Sequence, residues 1–347
     1  MYVHVPFCAR RCDYCAFATW TDRAPLMGAY AGACAEELAG AGLPPATSVF
    51  FGGGTPSLLP AAALAGLLAA VTRAPGAEVT VECNPENVSA DLLAAYREAG
   101  VTRISLGVQS TSPRVLAALG RVHDPARAER AAGLVSSGGF ESWSVDLIFG
   151  AVGESPADWA ATLDDVVAWG PPHVSAYALT VEAGTALADD PARRPDDDDQ
   201  ADKYLHADAV LGGAGLSCYE VSNWARPGHA CRHNRLYWTQ GDYRGIGCAA
   251  HSHEGGRRWW NVRTPERYIE RIRAGRSPEA AGETLDAAAR RREGLQLSLR
   301  TSEGVPLAAL DHGEDPELDG LVARSGDRLV LTPQGRLLGN EVALRLR

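Results

Sequence analysis

Short runs of β-branched and aromatic residues recur along the first half of the chain. They read VHVPF at 3–7, SVFFGG at 48–53, EVTVEC at 78–83, RISLGV at 103–108, WSVDLIFG at 143–150 and HVSAYAL at 173–179. Several are apolar almost throughout, as parallel strands covered on both faces tend to be. The stretches between them are rich in Ala and Leu and have helical character. SADLLAAYREA at 89–99 carries Ser89 as an N-cap and Gly100 as a stop. Ser155-Pro156 with Asp158 opens another helix: a cap, a proline at the first position and an early acid. Six strands alternating with helices predict a parallel α/β fold. Eight would close a barrel, so six predict a partial, open-sided (β/α)6 barrel. In such folds the chemistry lies at the C-terminal ends of the strands.

The rhythm changes near residue 200. A helix is expected over Ala201–Leu211, then SCYEVSNWA and an aromatic, Gly-rich segment reaching Asn261. The end of the chain, DRLVLTPQGRLLGNEVALRLR, reads as a strand, a Pro/Gly turn and a terminal helix. The predicted organisation is a barrel over 1–215, a connecting segment over 216–263 and a smaller, mainly helical, winged-helix-like domain over 264–347.

Composition narrows the class. With 46% hydrophobic and 22% charged residues over 347, the chain reads as soluble and globular. The longest apolar run, LLPAAALAGLLAAV at 58–71, is too short to span a bilayer and predicts a buried helix. No secretory segment is expected at the N-terminus, so the eight cysteines read as reduced thiols in the cytoplasm. A formal charge of −10 disfavours a nucleic-acid partner. The run Asp196–Asp199 is expected to be a solvated loop, and Arg290–Arg292 a solvated helix face.

Three cysteines stand out. Cys8, Cys12 and Cys15 follow the first strand as C-x-x-x-C-x-x-C. Zinc sites usually assemble four ligands from paired motifs, and thioredoxin-like redox chemistry needs only two cysteines. Iron–sulfur clusters normally take four thiolates, so three would leave one iron of a [4Fe–4S] cube open to a substrate or cofactor.

This spacing resembles that of the radical S-adenosylmethionine (SAM) superfamily. The resemblance implies a [4Fe–4S] cluster on Cys8, Cys12 and Cys15, with SAM chelating the open iron and being cleaved to a 5′-deoxyadenosyl radical. Tyr2, Phe7 and Tyr14 would wall the site. GGGTP at 52–56 follows the second strand and resembles the superfamily's segment of that kind, implying contact from Gly53, Gly54 and Thr55 to the methionyl amine. Glu82, Gln109, Arg121 and Asp146 match polar positions that contact SAM in the coproporphyrinogen-oxidase-like branch. One departure is Gly150-Ala151-Val152-Gly153, where that branch commonly has Gly-x-Pro, and it leaves the local loop geometry open.

Within the branch, coproporphyrinogen dehydrogenases carry a further cysteine two residues after the third ligand. Here that residue is Phe17, which resembles the Cys-x-Phe ending of HemW-type heme chaperones. CRHNRLYW at 231–238 contains H-N-x-x-Y-W (His233, Asn234, Tyr237, Trp238), a pattern associated with that group and with heme binding. An imidazole can ligate heme iron and aromatic rings can cover a porphyrin. A histidine hydrogen-bonded in a polar turn is the plainer reading of the same residues. Cys231 reads as a packed thiol with a ligand role as the alternative, and His251 and His253 follow a Gly-rich turn that would border the SAM pocket, with a heme role as the lesser alternative. Cys34, Cys83, Cys218 and Cys248 read as core.

The resemblance implies heme as cargo, an acceptor hemoprotein, an electron donor, no nucleic acid, and peripheral membrane contact through the acceptor. The alternative function is oxidative decarboxylation of coproporphyrinogen III, which the missing fourth cysteine speaks against. A third, RNA modification, is disfavoured by the acidic balance.

Overall fold

The computed structural model describes residues 1–310 and 316–347. Strands β1 (Tyr2–Val5), β2 (Ala46–Gly53), β3 (Arg73–Cys83), β4 (Arg103–Gln109), β5 (Ser142–Phe149) and β6 (His173–Ala178) run parallel, each beside the one before it. Helices α1 (Met27–Gly40), α2 (Ala61–Ala69), α3 (Ala90–Ala99), α4 (Pro113–Ala118), α5 (Pro125–Ser137) and α6 (Pro156–Trp169) occupy the connections. The six predicted strands and their open arrangement are therefore present.

Local signals explain the helix ends. The Ser89 hydroxyl accepts from the Leu92 amide and Gly100 ends α3 in the left-handed region at φ 94°. Ser155 and Asp158 form a reciprocal capping box at the start of α6. The apolar run after Leu58 becomes α2, whose Leu64, Leu67 and Leu68 are buried; each contributes about 1.5–3 kcal/mol. All three pack with the strands into the main core.

The acidic run corrects the sequence reading. Asp196 caps helix α7 (Asp197–Gly213) by accepting from the Asp199 amide, and the next three aspartates form its first turn. Carboxylates are favoured there by the helix dipole, so the run starts a helix and is not a loop.

Short strands extend both sheet edges. β7 (Ser217–Glu220) and β8 (Asn223–Ala225) add antiparallel beyond β6. After helix α8 (Arg232–Trp238), strand β9 (Gly245–Ile246) returns across the molecule to lie parallel beside β1. The full order is β7-β8-β6-β5-β4-β3-β2-β1-β9.

The remainder has more sheet than the mainly helical domain expected. Strands β10 (His251–Glu254), β11 (Arg257–Asn261) and β12 (Glu279–Thr284) form one antiparallel sheet, with α9 (Pro265–Arg273) inserted. Tyr268, Ile269 and Ile272 of α9 pack into the main core. Helix α10 (Ala287–Leu299) leads to β13 (Val305–Pro306), β14 (Val322–Ser325) and β15 (Arg328–Leu331), then α11 (Pro333–Leu337) and α12 (Gly339–Ala343). A separate small core gathers Leu299, Val305, Leu318, Leu329 and Val342. Arg291 and Arg292 are exposed on α10, as predicted, whereas Arg290 lies partly covered beside Gly256. No described helix is long and apolar enough to cross a membrane.

Candidate functional site

The chain leaves β1 at Val5 and forms the cysteine loop. The Trp20 amide donates to Pro6 O at 2.8 Å and the Cys8 amide to Trp20 O at 3.1 Å, closing the loop at its base. Cys8, Cys12 and Cys15 are unbridged and half-buried. The Thr55 hydroxyl donates to the Cys8 sulfur at 3.7 Å, and Arg121 Nη1 to the Cys12 sulfur at 3.4 Å. Arg11 donates to Cys15 O at 3.1 and 3.3 Å, holding the end of the loop. Burial pushes the Cys8 and Cys15 thiols above their ordinary range.

The segment after β2 packs directly beneath this loop. The Gly54 amide donates to Val5 O at 2.7 Å and the Thr55 amide to Phe7 O at 2.8 Å. A Cβ on Gly54 would lie 2.7 Å from both carbonyl oxygens and 3.1 Å from the Cys8 sulfur. Gly53, at φ 108°, has the His4 ring 2.4 Å from where its Cβ would be. Only glycine permits this approach. The Gly53 amide donates to Glu82 Oε2 at 3.1 Å, so the amides of all three residues are engaged.

Acids and a guanidinium line the walls. Glu82, at the end of β3, is pushed up to about 8 by burial and then by the charge of Asp146, against the Gly53 hydrogen bond. Asp146 accepts from Ser175 at 2.8 Å and from Ser105 at 2.7 Å, and burial raises it. Gln109 ends β4 at φ 67°, beyond a register shift against β5. A non-glycine residue in that region is strained, and such strain gathers at functional sites. Arg121 Nη2 donates to Asn84 Oδ1 and to Gly107 O, both at 2.9 Å. Its two terminal nitrogens thus tie the cysteine loop to the ends of β3 and β4.

The H-N-x-x-Y-W segment closes the opposite end. It forms α8, whose amides at Arg232 and His233 donate to the buried Glu78 carboxylate at 3.2 and 3.1 Å. His233 is 1% exposed and lies stacked on Phe50, centroids 5.2 Å apart. Its Nδ1 is 2.9 Å from Ser48 Oγ and its Nε2 2.9 Å from Tyr237 OH, so both ring nitrogens have partners. Burial lowers it to about 3. The Asn234 amide donates to Tyr219 OH and to Glu220, both at 3.1 Å.

One cavity of about 710 Å³ joins these parts. It is lined by the three cysteines and by Tyr2, Tyr14, Gly53, Gly54, Thr55, Glu82, Gln109, Arg121 and Asp146. His233, Asn234 and Tyr237 line its far end. Trp238 points elsewhere, into a separate cavity of about 350 Å³ beside α10. Phe7, expected to wall the site, is instead buried edge-on against Tyr30 at 5.4 Å. His251 is exposed and stacked on Trp260, and His253 is buried against Gly241 O at 3.1 Å; neither lines the cavity. Cys231 is buried at the cavity wall, its thiol 3.5 Å from Glu78 and pushed up to about 12. Cys34, Cys83 and Cys248 are core, and Cys218 is half-buried against it.

Sequence reasoning missed Glu78, Asn84, Arg103 and the serines that hold Asp146. Ser105, Ser144 and Ser175 sit where strand alternation turns them inward, a signal present in RISLGV, WSVDLIFG and HVSAYAL. Glu78 carries no local signal, because its partners are some 155 residues away.

Comparison with known proteins agrees with this architecture. Residues 2–166 match the family described as the Radical SAM superfamily. The heme chaperone HemW of Mycobacterium tuberculosis strain H37Rv is 46% identical, over 100% of this chain and 94% of that protein. The heme chaperone HemW of Synechocystis is 36% identical, over 94% of this chain and 84% of that one. The solved coproporphyrinogen III oxidase (HemN) of Escherichia coli, described as a radical SAM enzyme, superposes with a TM-score of 0.84 at 23% identity, over 99% of this chain and 88% of that chain. The chain belongs to the radical SAM superfamily and, within it, to the HemW family of heme chaperones.

Proposed function

We propose that this protein binds heme and passes it to an acceptor hemoprotein, and that it holds a [4Fe–4S] cluster and SAM in the cavity. The observation that carries the reading is the set of three unbridged thiols at one cavity mouth, with Phe17 where a fourth would stand. Three cysteines on one loop match the thiolate donors that iron–sulfur clusters take, and leave one iron of a [4Fe–4S] cube without a protein ligand. The glycine edge beneath Cys8 leaves the space beside that sulfur free of side chain. A cluster held by Cys8, Cys12 and Cys15 would supply a low-potential electron and an open iron.

The chain's own residues supply the rest. Arg121 places a guanidinium beside the Cys12 sulfur. Glu82 is poised to bind an ammonium group, and Asp146 and Gln109 to accept from ribose hydroxyls. Tyr14 and Phe17 add aromatic surface to the cavity wall beside the cysteines. Gly150, after β5, is held without the Gly-x-Pro sequence: its amide donates to Glu154 Oε2 at 2.6 Å.

Two assays test the reading. Heme titrated into the purified protein should give a saturable Soret change, and absence of saturation would reject heme binding. Anaerobic incubation with SAM, a reductant and coproporphyrinogen III should yield no protoporphyrinogen; its formation would favour the enzymatic alternative.

A further inference from the structure

Seven large apolar side chains are exposed among the described residues, and their placement is uneven. Leu337, Leu338 and Leu344 lie at the C-terminal helices. The other four, Phe17, Val122, Val152 and Tyr177, lie on segments at or beyond the C-terminal ends of β1, β4, β5 and β6. These segments surround the same end of the barrel. Phe17 is 66% exposed at the cavity mouth, whereas Tyr177 turns inward beside Ser175 and Asn223; both line the cavity. Isolated exposed apolar residues are ordinary, and Val122 and Val152 do not line the cavity; Phe17 and Tyr177, which do, give it an apolar surface beside the cysteine loop.

The charges at this rim are also unbalanced. Arg10 and Arg11 are exposed and line the mouth. Arg10 has no ion pair or side-chain hydrogen bond among the described residues, and the Arg11 guanidinium contacts only the Cys15 carbonyl. Of the nearby acids, Asp13 is paired with Arg193 at 2.8 Å, which leaves the exposed Glu182 across the opening. A ligand suited to this rim is flat and apolar, with carboxylates along one edge. Guanidinium groups bind carboxylates in a planar, two-pronged geometry.

We propose that the barrel mouth is where the heme cargo docks, its macrocycle against Phe17 and Tyr177 and its two propionates on Arg10 and Arg11. This rests on the heme-chaperone reading and adds a location to it. It also accounts for the enclosed state of His233, which at this position has no need to reach the cargo. Phe17 then acts by giving the macrocycle a surface beside the cysteine loop.

The experiment uses the full-length protein with its cluster reconstituted anaerobically. Hemin and hemin dimethyl ester, which lacks free carboxylates, are titrated against tryptophan fluorescence and checked by equilibrium dialysis. Arg10→Ala and Arg11→Ala should each weaken hemin binding about tenfold and leave diester binding unchanged. Phe17→Ala should weaken both ligands alike. Iron content and melting temperature are measured for each variant; should Arg11→Ala disturb the loop, Arg10→Ala still decides, since it removes no ion pair or side-chain hydrogen bond found among the described residues. Equal affinity of the parent for hemin and diester, or parental hemin affinity in Arg10→Ala and Phe17→Ala, would overturn the docking site while leaving the function intact. No binding of hemin by the parent would overturn both.

Discussion

The imidazole of His233 and the hydroxyl of Tyr237 meet at 2.9 Å inside the barrel, one turn apart on the same short helix. Their rings pack edge to face at 5.2 Å, and the other imidazole nitrogen meets Ser48 of β2. The histidine therefore fastens α8 to the sheet. Its amide is fastened as well, to Glu78 of β3. A segment that suggests a ligand in the sequence works in the structure as a closure for the far end of the cavity.

His233→Ala should accordingly destabilise the protein. It removes a buried ring and leaves Ser48 and Tyr237 without partners, a loss of about 2–4 kcal/mol. Urea unfolding followed by far-UV circular dichroism checks this. An unchanged midpoint would show that the histidine contributes little to the fold. The wild-type contribution also depends on pH. With its folded pKa lowered to about 3, His233 stabilises the native state above the unfolded value of about 6.5, and that stability is lost as pH falls towards 3. The variant should lose less stability between pH 7 and 5 than the parent.

Glu82 gives the opposite slope. Its folded pKa is raised to about 8, so the native state binds a proton that the unfolded chain has released. The contribution is fully present below the unfolded value of about 4.3 and disappears as pH rises through 8. In ligand-free protein, Glu82→Gln should flatten the melting temperature between pH 5 and 8.5, raising it relative to the parent at the alkaline end. A calorimetric pH series measures it, and parallel curves for parent and variant would contradict the assignment.

Much of this site could be read in the sequence, and the reason is local chemistry. The cysteines, the glycine segment and the strand-end acids all lie next to strand signals that alternation and composition reveal. Seven-residue α8 and the two- to four-residue strands β7, β8 and β9 are too short to show periodicity, and they form by docking against an existing sheet. The second sheet of the C-terminal region was hidden for a related reason: β14 is mostly exposed and reads as polar. Phe7 was misplaced because a residue directly after a strand can turn to either side. Its ring joins Tyr30 in the core while its carbonyl, not its ring, faces the glycine segment.

A buried lysine supports the loop after β5. Lys203 of α7 is 2% exposed and its ammonium lies 3.1 Å from Glu154 and 2.5 Å from Asp199. It also donates to Glu154 O at 2.9 Å. Glu154 in turn accepts the Gly150 amide. Removing one member of a buried pair leaves the other charge uncompensated, so Lys203→Met should cost about 3–5 kcal/mol in urea unfolding. Adding Glu154→Gln should recover part of that loss, because the amide oxygen still accepts from Gly150. A double variant as unstable as the sum of the two singles would argue against a direct pairing.

Arg121 is the residue through which the walls of the cavity act on the cysteine loop. Its contacts at Cys12, Asn84 and Gly107 come from two terminal nitrogens held in one plane, which a lysine ammonium cannot reproduce. Groups that orient and charge-stabilise a metal ligand commonly alter metal affinity by about 10–100-fold when removed. On the proposed cluster-binding reading, Arg121→Lys should lose its cluster faster to a chelator, with iron retention in a bathophenanthroline competition reduced by about that factor. The fold should persist, since the side chain is part of the cavity wall and not of the main core. Retention equal to the parent would show that the sulfur contact is incidental, and would leave Arg121 with the ligand-binding role implied by its place in the cavity.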